Sequence, residues 1–285
     1  MAHRIALIGF GEAAQAFAAA AGWNGDAAAF DIKTEAAETR DAKRADYARL
    51  GVAGCARARE ALAGAPAVLS LVTADAALAA ARENAGHLGT GALWFDMNSV
   101  APETKRAAEA AIAAAGGRYV DAAVMAPVHP KRTSVPLLVS GPHAEAGAAA
   151  LGDLGFRDVR CVGAHVGAAS AIKMIRSVMV KGIEALTAEC VLAAHRAGVV
   201  DEVLSSLGED WGRKADYNLE RMLAHGLRRA AEMAESARTL EDLGIAPLMT
   251  RGTISRQRSL GALGIAPPEG LAAKLAALDS LKVPA

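Results

Sequence analysis

The chain has 285 residues and carries 31 basic against 31 acidic side chains, so no charge excess marks it for nucleic acid or a membrane surface. It is alanine-rich with only 4% aromatic residues, which favours closely packed helices over a β-sandwich. Three widely separated cysteines, Cys55, Cys161 and Cys190, supply neither a disulfide framework nor a metal-ligand spacing, and no metal is expected. The opening Met1-Ala2-His3-Arg4 runs into only four apolar residues, too few for a secretory h-region. No stretch is apolar enough for a bilayer span. The expectation is a soluble cytoplasmic protein that binds neither membrane nor nucleic acid.

Arg4 to Ile8 reads as a short buried strand, and Gln15 to Ala21 has helical composition. Between them stands Gly9-Phe10-Gly11-Glu12-Ala13-Ala14, a G-x-G-x-x-A sequence in the context that makes it informative, after a strand and opening a helix. Gly9 permits the tight turn, Gly11 lets the backbone approach a pyrophosphate, and Ala14 keeps helix and strand close. The helix N-terminus then faces the anion. A second apolar run, Ala27 to Phe30, ends at Asp31, an acid placed to accept hydrogen bonds from the adenosine ribose and so to favour NAD. Lys33 softens the repulsion that a 2′-phosphate would meet, which keeps NADP open as the alternative.

The alternation continues. Helices are expected over Asp41 to Leu50, Ala56 to Ala63, Asp75 to Asn84 and Pro102 to Ala115. Strands are expected over Val68 to Val72, Leu93 to Asp96, Tyr119 to Val124 and Leu137 to Ser140. This pattern predicts a parallel, doubly wound α/β sheet of the Rossmann type. Ligands bind beyond the carboxyl ends of such strands, here Val72-Thr73, Asp96-Met97-Asn98-Ser99 and Val124-Met125-Ala126.

Gly163 to Gly198 contains no proline and reads as one long helix of about thirty residues, about 45 Å at 1.5 Å per residue. Ile172, Ile175, Met179, Ile183, Leu186 and Cys190 recur three or four apart as an apolar stripe. Lys173, Arg176, Ser177, Lys181 and Glu184 fall on a different arc. From Asp201 onward the pattern is helical throughout: Asp201 to Leu207, Ala215 to Ala237, Pro247 to Leu263 and Pro268 to Leu281. The division predicted is a dinucleotide-binding domain over 1–163, then the long interdomain helix and an all-α domain over 164–285.

Together these motifs resemble the β-hydroxyacid dehydrogenase family, which includes 3-hydroxyisobutyrate and 6-phosphogluconate dehydrogenases. The chain is similar to a divergent branch with its own C-terminal domain. Asp96 to Pro102 matches the family's D-x-S-T-x-S-P segment, with Asn98 and Ser99 in place of Ser-Thr. The resemblance implies that Asn98 and Ser99 lie between nicotinamide and substrate; helix capping is the alternative for Ser99. Asp121 to Pro127 stands where the family has D-A-P-V-S-G-G, with Met125 in the substrate-binding stretch. The basic loop Val128 to Arg132 is either an anion contact or an exposed loop. Lys173 matches the catalytic lysine, and Arg176 and Ser177 stand where the family has two asparagines. Ser177 is one turn on from Lys173 and would orient it or the substrate. Arg176 suits a carboxylate or phosphate. His225 to Arg229 lies where the family often has a segment closing over the cofactor.

The resemblance implies reversible hydride transfer between NAD(P) and a small 3-hydroxyacid or related anionic alcohol. Lys173 would be the general acid and base, its pKa lowered from about 10.4 by burial and neighbouring positive charge. Gly9 to Ala14, Asp31, Lys33, Val72, Thr73 and Asn98 would hold the cofactor. A homodimer or higher homo-oligomer through the helical domain is implied as well. Alternatives are an imine reductase or a decarboxylating 3-hydroxyacid dehydrogenase on the same fold, and, in another class, a non-catalytic NAD-sensing protein.

Overall fold

The computed structural model describes residues 4–281. The chain separates into two compact units, Met1–Lys173 and Met174–Ala285. The division falls inside the long helix rather than ahead of it.

The first unit alternates strand and helix: β1 (Ile5–Ile8), α1 (Glu12–Ala21), β2 (Ala27–Phe30), α2 (Ala37–Arg49), β3 (Ala53–Gly54), α3 (Ala58–Leu62) and β4 (Ala67–Ser70). It continues through α4 (Ala77–Ala85), β5 (Leu93–Asp96), α5 (Pro102–Ala114), β6 (Arg118–Val124), β7 (Leu137–Ser140), α6 (Ala144–Asp153) and β8 (Val159–Gly163). Among the described residues the strands form one sheet in the order β3-β2-β1-β4-β5-β6-β7-β8. The order reverses between β1 and β4, so the β1–α1 and β4–α4 loops flank the crevice where such sheets take ligands.

Both faces of this sheet are covered, which is why β1, β4 and β5 read as near-continuous apolar runs. Ile5, Leu7, Phe17, Leu69 and Phe95 pack in the core on one face. Ala6, Ile8, Val68, Trp94, Ile112 and Tyr119 pack on the other. The sheet departs from the expected parallel arrangement at one place, where β6 and β7 pair antiparallel. Residues 125–136 between them hold only a single 3-10 turn, Arg132–Ser134, with no helix to carry the chain back across the sheet.

The long helix α7 (Ala168–Ala197) is continuous across the division. The second unit adds α8 (Val200–Leu207), α9 (Trp211–Asp242), α10 (Leu248–Gly261) and α11 (Leu271–Ser280). Its core includes Ala188, Val191, Leu219, Met222, Leu223, Leu260 and Leu275. Helices α9 and α10 meet at Gly226 and Gly261, where a Cβ on Gly226 would stand 2.2 Å from the Gln257 carbonyl oxygen. Only glycine permits so close a crossing.

The faces of α7 reverse what an amphipathic stripe implies. Ile172, Ile175, Met179, Ile183 and Leu186 are exposed, Met179 to 66% and Leu186 to 63%. The polar residues Ser177, Lys181, Glu184 and Thr187 are buried. They are stable there because each has a partner inside the second unit. Lys181 pairs with Glu232 of α9 at 2.8 Å. Glu184 accepts from Arg229 of α9 and, at 2.9 Å, from Gln257 of α10. Asn218 donates to Thr187 at 3.1 Å. No helix among the described residues is long and apolar enough to cross a membrane.

Candidate active site

The glycine loop joins β1 to α1 at the carboxyl edge of the sheet. Gly9 has φ +87, and a Cβ there would lie 2.5 Å from the Leu71 carbonyl oxygen, so glycine is required. Gly11 forms the N-terminal boundary of α1, where no side chain caps the helix. A Cβ on Gly11 would meet nothing within 4 Å, so the space above it is open. Glu12 is exposed and Ala13 half-buried in the first turn, while Ala14 is fully buried against the strand side. Uncapped amides, a helix N-terminus and open backbone together fit a pyrophosphate.

Phe10 contributes through its peptide rather than its ring. The ring is buried against Tyr47, with centroids 4.9 Å apart. Its N–H donates to Asp31 Oδ2 at 2.7 Å, and its carbonyl accepts from Lys43 Nζ at 2.8 Å. Lys43 had no motif to announce it. Asp31 is only 9% exposed, and its Oδ1 accepts from the Lys33 N–H at 2.9 Å. Its carboxylate therefore braces the glycine loop and caps the turn after β2. The Lys33 side chain lies exposed at that turn.

Across the crevice, Asn98 is buried and fully engaged. Its Oδ1 accepts from the Val72 N–H at 2.8 Å, and its Nδ2 donates to Ser70 Oγ at 3.0 Å and Asp96 Oδ1 at 2.8 Å. This fixes the β4 and β5 ends to each other, with Thr73 exposed beyond them. Ser99 does not cap α5, whose N-cap is Ala101. Instead its Oγ accepts from Lys173 Nζ at 2.7 Å. The first unit thus brings Asn98, Ser99 and Lys173 together from β5 and the start of α7.

Beneath them lies a buried charge cluster that the motif reading missed. Lys105 of α5 is 0% exposed, with Nζ 3.0 Å from Asp96 Oδ1 and 3.4 Å from Asp121 Oδ1. Tyr119 donates its hydroxyl to Asp96 Oδ2 at 2.7 Å. Burial above all, then the Asp96 and Asp121 charges, push the Tyr119 pKa well above its ordinary value. Asp121 Oδ2 accepts from Ser140 Oγ at 3.0 Å and from the N–H groups of Gly167 and Ser170 at 3.0 and 3.1 Å. The carboxylate thus sits on the N-terminus of the helix that carries Lys173. A proline-headed helix placing a lysine one turn in, three residues after Pro102, was the available signal.

The remaining expected residues have contacts within their own units. Met125 is half-buried against the apolar cluster of Ala123, Leu138 and Ala169. His129, Lys131 and Arg132 are exposed on a loop. Arg176 and Ser177 belong to the second unit, where Arg176 is exposed and the buried Ser177 Oγ accepts from Lys181 Nζ at 3.4 Å. In the His225 to Arg229 segment, Arg229 is buried against Glu184. The second unit also holds a cavity of about 510 Å³, lined by His195, Leu204, Arg213, Asp216 and Leu275 among others, which includes none of the motif residues.

Comparison with known proteins agrees with this geometry. Residues 4–151 match the family model described as the NAD binding domain of 6-phosphogluconate dehydrogenase, and residues 194–260 match a domain of unknown function (DUF1932). A conserved hypothetical protein of Sinorhizobium meliloti 1021 is 41% identical, with 96% of this chain and 93% of that chain covered and a TM-score of 0.72. The conserved protein MTH1747, described as structurally similar to 3-hydroxyacid dehydrogenases, is 32% identical over 91% of this chain and 98% of its own, with a TM-score of 0.68. A 3-hydroxyisobutyrate dehydrogenase of Mycobacterium tuberculosis shares the fold at 16% identity, covering 92% of this chain and 94% of that chain, with a TM-score of 0.72. A glycine loop open to a pyrophosphate, a 3-hydroxyacid dehydrogenase-like fold and these matches lead to one conclusion: the chain belongs to the family of the NAD binding domain of 6-phosphogluconate dehydrogenase, joined to a DUF1932 domain.

Proposed function

We propose that the chain is an NAD(P)-dependent oxidoreductase acting on a small anionic alcohol, a 3-hydroxyacid or a close analogue. The observation that carries this reading is the 2.7 Å hydrogen bond from Lys173 to Ser99, beside the locked Asn98 and across from the glycine loop. The bound nicotinamide supplies the hydride acceptor or donor. Gly9 to Ala14 hold its pyrophosphate at the α1 N-terminus, and Val72 and Asn98 shape the crevice wall. As the neutral amine Lys173 takes the hydroxyl proton of the alcohol in oxidation, and as the ammonium it returns that proton in reduction, with Ser99 fixing where its Nζ points. In reduction the ammonium also favours the negative charge that develops on the carbonyl oxygen.

The test is a screen of the purified protein with NAD and NADP against 3-hydroxyacids, aldehydes and imines, read at the nicotinamide absorbance band. Turnover on hydroxyacids is expected. Turnover on imines alone would replace this reading with a reductase acting on C=N bonds, and cofactor binding without turnover on any class would favour a sensor.

The same reading extends to assembly as a homodimer. What supports it is the exposed row of Ile175, Met179, Ile183 and Leu186 along α7, an apolar strip of the kind subunit interfaces cover.

A further inference from the structure

The geometry points to a 2′-phosphate subsite between Arg40 and Arg44, so that this chain binds NADP(H) in preference to NAD(H). The inference rests on the dinucleotide reading above and concerns which dinucleotide is selected. It reverses the expectation drawn from Asp31.

A cavity of about 330 Å³ opens where β2 and β3 end, at the carboxyl edge of the sheet. Thr34, Glu35, Arg40, Arg44, Gly54 and Cys55 line it. The adenosine ribose of a dinucleotide lies beside the residue that ends β2, so a group on its 2′ oxygen extends toward this cavity. Arg40 and Arg44 stand one helical turn apart on α2, a spacing at which like charges repel unless an anion lies between them. Neither guanidinium is paired with a carboxylate among the described residues. Arg40 donates through Nε to the Thr34 carbonyl at 2.9 Å and through Nη2 to the Glu35 carbonyl at 2.7 Å. These neutral acceptors hold its fork in place and leave its charge uncompensated. The Arg44 side chain is exposed and forms no hydrogen bond or ion pair with the described residues.

Two of the acids nearby are engaged by backbone N–H groups. Asp31 has one oxygen on the Phe10 N–H and the other on the Lys33 N–H, and the residue is 9% exposed. Glu60 accepts from the Ala56 and Arg57 N–H groups at 3.0 and 3.3 Å. Glu35 lines the cavity but is exposed, so solvent screens its charge. Lys43 is already paired with Asp46 at 2.9 Å, and Arg40 and Arg44 are the cations that line the cavity. Cys55 is no obstacle, because burial, then Glu60, pushes its thiol up and keeps it uncharged at neutral pH. A phosphate monoester matches two guanidinium forks.

Calorimetric titration of the full chain with NADP+, NAD+ and adenosine 2′,5′-bisphosphate tests this. NADP+ is expected to bind about tenfold or more tightly than NAD+, and the bisphosphate is expected to compete with NADP+. Arg44→Ala, on an exposed side chain, and Arg40→Ala/Arg44→Ala should each weaken NADP+ while leaving NAD+ affinity within about twofold, the pair by about a hundredfold. Raised salt should narrow the preference. Equal affinities, or tighter NAD+, in the unaltered chain overturn the inference while the dinucleotide reading stands. An NADP+ preference that survives the double substitution overturns the assignment to these arginines. Binding of neither dinucleotide overturns both.

Discussion

Lys173 reaches from the start of α7 to Ser99 in the loop that follows β5, a 2.7 Å hydrogen bond between residues 74 positions apart in sequence. Asn98, the residue before Ser99, is itself held by Val72, Ser70 and Asp96. The lysine therefore rests on a rigid support at the ligand-binding edge of the sheet, as a proton-transfer group requires.

Removing the support should cost rate while leaving the fold intact. Ser99→Ala is expected to lower kcat by about tenfold or more, from a lost hydrogen bond to a charged group. Cofactor affinity should stay unchanged. Steady-state kinetics on the substrate found in the screen, with direct titration of the cofactor, checks it. An unaltered kcat would mean that Ser99 does not position Lys173.

Lys105→Met should destabilise the first unit by about 3–5 kcal/mol, because it leaves the buried carboxylates of Asp96 and Asp121 without their cation. Urea unfolding of the variant against the unaltered chain measures this. A midpoint that does not move would show that the pair is not carried by Lys105.

Tyr119 makes alkaline stability a second probe of the same cluster. Its folded pKa is raised well above 10.0, chiefly by burial and then by Asp96 and Asp121. The unfolded chain releases this proton near pH 10 while the folded chain holds it. The stability contributed is therefore present below about pH 10 and lost as pH rises toward the folded pKa. Tyr119→Phe should cost about 1–3 kcal/mol at neutral pH by leaving Asp96 Oδ2 without its donor, and should flatten the loss above pH 10. Unfolding curves at neutral pH and at about pH 11 give both numbers.

The exposed row on α7 predicts assembly. The unaltered chain should be a dimer by size-exclusion chromatography with light scattering, and Met179→Glu/Leu186→Glu should be a folded monomer with unchanged circular dichroism. A dimer that persists in the variant would place the contact elsewhere.

Much of the first unit was legible because its signals are local. The glycine loop, the strand ends and Lys173 each announce themselves within a few residues. The two-residue strand β3 carries no periodicity, and α6 is so rich in alanine and glycine that its pattern is silent; neither was expected. β8, Val-Arg-Cys-Val-Gly, has no continuous apolar run to mark it, in keeping with its partial burial. Long-range pairing was invisible as well. Nothing near Asp31 shows that its two oxygens turn to Phe10 and Lys33, and nothing near Lys105 shows that it meets Asp96 and Asp121. The reversed faces of α7 have the same cause. Periodicity marks an apolar stripe, but only Glu232, Arg229 and Gln257, on distant helices, make the opposite polar face the buried one.

The most direct test of the account is the kinetics of Lys173→Ala on the hydroxyacid identified in the screen, with NAD(P)H binding measured alongside. Cofactor affinity equal to that of the unaltered chain and a rate lower by about 10²–10⁴-fold are expected. Near-normal turnover in a variant that still binds the cofactor would contradict the assignment of Lys173 as the proton-transfer group.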